Sequence, residues 1–160
     1  MFSAGDKIVY PMHGAGFICG VEEMKILGEK KKYYIFKLPC SEINVMIPVD
    51  SETSVGIRPV ADMAVVSDAV ELLKAESSEM DSNWNRRYRD NMEMLKSGDI
   101  MKVAEVVRNL MRMDRRRSLS SGERKLLANA QQILVSEMML AMDITSAEAK
   151  KIIKEAVGLC

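Results

Sequence analysis

With 160 residues, 48% of them apolar, the chain has room for one ordinary domain or two small ones around a packed core. Lysine plus arginine balances aspartate plus glutamate at 23 each, which excludes a polyelectrolyte, so any contact with nucleic acid has to come from a local patch. Cys19, Cys40 and Cys160 are odd in number and form no CxxC pair, which argues against a zinc site or a disulfide framework and fits a reduced cytosolic setting.

The N-terminus lacks the basic and apolar regions of a signal peptide, and no apolar run reaches the roughly 18 residues of a membrane span. Residues 7–10 are β-favouring and end at Pro11, and Gly14-Ala15-Gly16 is expected to turn the chain. A second strand opens at residues 17–21 and can run to Ile26, with Leu27-Gly28-Glu29-Lys30 as a hairpin turn. Residues 33–38 make a third strand and 43–49 a fourth; 55–60 give a short fifth, confined to an edge because Pro59 has no N–H to donate. Short strands between Gly/Pro turns imply a small antiparallel barrel.

Beyond Pro59 no proline occurs and the apolar spacing becomes helical, which places a boundary between residues 1–61 and 62–160. Helices are expected over about 64–75, from Asp81-Ser82-Asn83 to Ser97-Gly98, over about 99–115, from Ser120, and from Thr145 to just before Gly158. Ser120-x-x-Glu123 and Thr145-x-x-Glu148 both have the capping-box pattern. The fold class is therefore α+β, a small barrel followed by a compact five-helix unit. The 14 methionines are expected to fill its core.

Little here points to catalysis. The single histidine, His13, has no nucleophile or base nearby in sequence, and a small-molecule enzyme built on it is the weakest of three readings. Gly14-x-Gly16 lacks the third glycine of a dinucleotide fingerprint. No cofactor or metal is expected.

Charge placement says more. Residues 1–62 are close to neutral, with seven basic and eight acidic side chains, whereas 84–117 hold ten basic and five acidic ones. Asn83-Trp84-Asn85-Arg86-Arg87-Tyr88-Arg89 puts the only tryptophan and three arginines at a helix start. Helix-start N–H groups and arginine forks suit phosphate, and an aromatic ring can wedge against bases. Arg108, Arg112 and Arg115-Arg116-Arg117 could extend this into a basic surface. Yet Trp84, Tyr88, Met92 and Leu95 also follow the spacing of a core stripe, which by periodicity alone turns Trp84 inward.

At these residues the chain resembles the CarD/CdnL-type regulators. The likeness lies in Gly5-Asp6-Lys7-Ile8-Val9-Tyr10-Pro11-Met12-His13-Gly14, in the Asn83–Arg89 segment followed by Leu95-Lys96-Ser97-Gly98-Asp99, and in residues 102–110 and 119–124. It covers nearly the whole chain. It implies a non-enzymatic transcription regulator whose Tudor-like barrel binds the β subunit of bacterial RNA polymerase, like the corresponding module of transcription-repair coupling factors. It also implies a helical unit that contacts promoter DNA at the upstream edge of the melted bubble. There the tryptophan matching Trp84 wedges into the minor groove, with Arg86, Arg87 and Arg89 beside it, and the open complex lives longer. Some relatives place arginine at the positions matching Met24 and Met46. Methionine here makes the expected polymerase contact at Met24 and Met46 more apolar, or rests it on neighbours such as Lys25, Glu42 and Asn44. The rival reading is a protein–protein adaptor with a buried Trp84 and no DNA contact. Neither a membrane nor a small-molecule substrate is expected as partner.

Overall fold

The computed structural model describes residues 2–39, 44–51 and 56–158. Five antiparallel strands come first: β1 (Lys7–Tyr10), β2 (Gly14–Ile26), β3 (Glu29–Lys37), β4 (Asn44–Pro48) and β5 (Arg58–Pro59). They form one sheet in the order β4-β3-β2-β1-β5, with β5 at an edge as its proline requires. The sheet curls so that Ile8, Ile18, Tyr34, Phe36, Ile47 and Ile57 converge on one core. The α+β class is as expected, but Gly14-Ala15-Gly16 is not the turn. Pro11-Met12-His13 turns the chain, with Met12 at φ 71°, and Gly14 already begins β2. The glycines serve close approach instead. A Cβ on Gly16 would lie 2.4 Å from the Lys37 carbonyl oxygen, and one on Gly14 would lie 2.6 Å from Ser136 Oγ.

A bulge in β2 decides which side chains face out. Ile18 pairs with Phe36 and Gly20 with Ile35, so Cys19 is an extra residue and the alternation of β2 reverses there. Unbroken alternation from the inward Ile18 would have turned Met24 inward. After the bulge Val21 pairs with inward Tyr34, which leaves Met24 on the outer face.

Five helices follow: α1 (Met63–Lys74), α2 (Trp84–Lys96), α3 (Ile100–Arg116), α4 (Ser121–Met142) and α5 (Ser146–Val157). Each begins at a side-chain cap: Asp62, Asn83, Asp99, Ser120 and Thr145 accept from backbone N–H groups of the first turn. Thr145 and Glu148 complete the reciprocal box, and Gly158 at φ 91° ends α5. Leu73, Leu95, Val107, Leu110, Leu134 and Met138 lie at the centre of the helical core. The other methionines sit elsewhere. Met92, Met94, Met101, Met111, Met113 and Met139 are half-buried around its rim, while Met24, Met46 and Met63 are exposed. Their flexible thioethers thus fill the margins, and the centre belongs to branched aliphatics.

The two units pack on each other along α4. Val9, Ala15 and Leu140 form an apolar contact flanked by Phe17 and Val60. The Ala15 N–H donates to Ser136 Oγ at 2.9 Å, and Lys7 Nζ donates to the Leu140 carbonyl at 3.2 Å.

Candidate nucleic-acid interface

Helix α2 starts in solvent. Asn83 Oδ1 accepts the N–H groups of Asn85 and Arg86 at 3.0 and 3.3 Å, and Asp81 in turn accepts the Asn83 N–H at 2.8 Å. These bonds fix the entry of the chain and set Trp84 as the first helical residue, 56% exposed. The core stripe through Trp84 is therefore not the one the helix uses. The inward residues are Arg87, Asn91 and Leu95, while Tyr88 and Met92 are half-buried. Leu95 belongs to both stripes, and at about 100° per residue the buried face is turned by about 55° from the apolar spacing.

A buried ion pair enforces that rotation. Arg87, 5% exposed, points into the protein. Its Nε and Nη2 donate to the two oxygens of Glu123 at 2.8 and 2.9 Å, and Nη1 donates to the carbonyls of Asp81 and Ser82 at 3.1 and 3.4 Å. The bonds from Arg87 hold the Glu123 carboxyl below its usual range, against the opposing effect of burial. Glu123 consequently makes only half of its expected capping box: its N–H donates to Ser120 Oγ, but its carboxylate turns to Arg87. Arg87 thereby leaves the set of expected DNA contacts. Its guanidinium is consumed inside, where it anchors the turn that presents Trp84. Arg86 and Arg89 are exposed and have no ion pair or side-chain hydrogen bond among the described residues.

The larger basic surface expected across α3 is also absent in part. Arg108 is buried and donates to the Leu72 carbonyl, Ser78 Oγ and Asn109 Oδ1 at 2.9, 2.8 and 3.0 Å. Arg112 gathers the Ala75, Leu73 and Val157 carbonyls at 2.6, 3.0 and 3.2 Å. Those oxygens belong to the C-terminal ends of α1 and α5, the negative poles of two helix dipoles. Arg115, Arg116 and Arg117 remain exposed at the end of α3.

On the sheet unit, Met24 pairs with Lys31 and Met46 with Ile35, which places both methionines on the outer face of β2-β3-β4, each 38% exposed. Tyr33, Ile35 and Pro48 share that face, and β4 stands at the sheet edge. Lys25 pairs with Lys30 and so takes the opposite face from Met24. It is exposed but does not join the two methionines. Glu42 lies outside the described residues; Asn44 is exposed at the start of β4. His13 stacks on Tyr10 with ring centroids 4.5 Å apart. No group of three or more potential metal ligands occurs among the described residues, and none of their helices is long and apolar enough to cross a membrane.

Fold and site together define a two-unit protein, with an exposed sheet face carrying Met24 and Met46 on one unit and an aromatic–basic helix start on the other. Residues 2–61 match the family model described as the CarD-like/TRCF RID domain, and residues 68–154 match that of the CarD C-terminal domain. A "Putative transcription factor YdeB" of Bacillus subtilis (strain 168) is 41% identical over 150 residues, covering 94% of this chain and 98% of the relative. The chain belongs to the CarD-like family of transcription factors.

Two site features escaped sequence reasoning, the Arg87–Glu123 pair and a second buried carboxylate, Glu137. The second leaves a trace in the sequence. Glu137 interrupts the apolar run of residues 133–141, and a carboxylate there demands a cationic partner.

Proposed function

We propose that this protein holds RNA polymerase with its sheet unit, residues 1–61, and promoter DNA with its helical unit, residues 62–160, and thereby stabilises the open complex. The observation that carries the reading is the exposed Trp84 in the first turns of α2 with Arg86 and Arg89, which have no ion pair among the described residues, while Arg87 braces the turn from within. A rigid indole at a helix start is a wedge for a distorted base step, and the two guanidinium groups suit the flanking phosphates. A wedge that fits the upstream edge of the bubble better than closed duplex draws the equilibrium toward the melted state, about tenfold for each 1.4 kcal/mol of preference. The matching RID-domain family supports polymerase as the other partner, with the outer face of β2-β3-β4 around Met24, Ile35 and Met46 meeting the β subunit. Tethering to polymerase raises the effective concentration of the DNA contact, so a chain of zero net charge can still act there. The exposed indole favours this reading over an adaptor with a buried tryptophan.

The test is the lifetime of open complexes on a weak promoter with no factor, the native chain and Trp84→Ala. The native chain is expected to prolong the complex, and Trp84→Ala to lose most of that effect while remaining folded. A native chain that binds polymerase without changing the lifetime would overturn the proposal in favour of the adaptor.

A further inference from the structure

We propose that Arg58 and Glu137 are positioning residues that lock the two units in one orientation and so set where Trp84 stands relative to the polymerase-facing sheet. The inference rests on the function proposed above. Two small units joined by a single crossing of the chain are expected to move relative to each other unless their interface prevents it. The apolar contact of Val9, Ala15 and Leu140 supplies adhesion, but adhesion of that kind is non-directional. The Ala15 N–H on Ser136 Oγ and Lys7 Nζ on the Leu140 carbonyl add single directional bonds, and Arg58 adds a bidentate fork that fixes angle.

Arg58 sits on β5, the last strand before the helices. Its Nη1 and Nη2 donate to the two oxygens of Glu137 on α4 at 2.6 and 2.7 Å. Its Nε donates to the Gly98 carbonyl at 2.8 Å, in the turn that follows α2. Glu137, 1% exposed, also accepts the Ala61 N–H at 2.8 Å, on the segment that joins the units. One guanidinium thus ties the sheet edge to α4 and to the far end of the helix that presents Trp84. The contact at Gly98 is tight: a Cβ there would lie 3.0 Å from Pro11 Cγ in the β1–β2 turn. A planar fork on a carboxylate fixes angle as well as distance, which lysine cannot reproduce.

The full chain, with Cys19, Cys40 and Cys160 replaced by serine, is spin-labelled at Lys37→Cys on the sheet and Asp90→Cys on α2, and the distance distribution is read by pulsed electron resonance. The native pair is expected to give one narrow distribution, and Glu137→Gln and Arg58→Lys a broadened one. Without labels, both variants should keep native affinity for polymerase alone and for fork DNA alone, yet lose roughly fivefold in open-complex lifetime. Trp84→Ala should do the reverse, keeping the narrow distribution while losing the lifetime. Arg58→Lys retains the charge and carries the test if Glu137→Gln fails to fold. A distribution that stays narrow in folded variants overturns the lock. So does a broadened distribution with unchanged lifetime, or a lifetime lost only in step with polymerase affinity. The distance measurement needs no polymerase, so it judges the lock even if the native chain has no effect on open complexes.

Discussion

Helices α2 and α3 both carry several arginines, and those side chains end in opposite places. α2 leaves Arg86 and Arg89 in solvent, whereas α3 commits Arg108 and Arg112 to backbone carbonyl oxygens. The difference lies in what each helix packs against. α3 runs past the C-terminal ends of α1 and α5, whose orphan carbonyls attract donors, and its arginines supply them. At the first turn of α2 the Glu123 carboxylate takes Arg87, while Arg86 and Arg89 have no ion pair among the described residues. A run of basic residues in sequence is therefore not a basic surface until the neighbouring helix ends have taken their share.

The largest expected effect comes from removing Arg87, the arginine that α2 buries. Arg87→Met leaves Glu123 charged and enclosed, and is expected to cost about 3–5 kcal/mol in chemical denaturation; the double variant Arg87→Met/Glu123→Leu should recover much of it. The same pair sets an acid limit. Because the folded-state value of Glu123 is depressed from its ordinary 4.5, its contribution is fully present above that pH and is lost as pH falls through the lower folded value. Denaturation followed from pH 7 downward should show this loss in the native chain and not in the double variant. An Arg87→Met protein as stable as the native one would mean that Arg87 can swing out to DNA.

Next in size is Arg112→Met, expected to cost about 1.5–3 kcal/mol because charged hydrogen bonds to several carbonyls disappear. Its affinity for fork DNA and the salt dependence of that affinity should stay native. A shallower salt slope in this variant would return α3 to the DNA surface. The smallest effect on stability belongs to Arg86→Ala and Arg89→Ala, within about 0.5 kcal/mol. Each should instead lower the slope of log affinity against log salt by about 0.9 at most, as one phosphate contact is lost. If neither changes the slope, the outward half of α2 does not face phosphate.

Much of the architecture was legible because its signals are local. Asn83, Ser120 and Thr145 cap the helices they precede, and Pro59 holds its strand at an edge, since caps and missing donors act within a few residues. The candidate site was half legible. Its address at residues 83–89 followed from an indole and three arginines at a helix start, while the orientation of each side chain did not. Periodicity put Trp84 in the core, and an arginine replaced it there. Apolar periodicity counts every charge as outward-facing, whereas Arg87 is held inside by a carboxylate 36 residues away.

Local patterns in the sequence thus marked most of the strands and all five helices of the α+β fold. The direction each side chain faces follows from contacts between elements distant in the chain. The bulge at Cys19 brings Met24 to the same face as Met46 and sends Lys25 to the other. Glu123 turns Arg87 in and Trp84 out, and the helix ends of α1 and α5 withdraw Arg108 and Arg112 from the surface. In each case the deciding partner is distant in the chain. Short-range propensities fix the elements, but the faces they present follow from satisfying every buried charge and carbonyl at once.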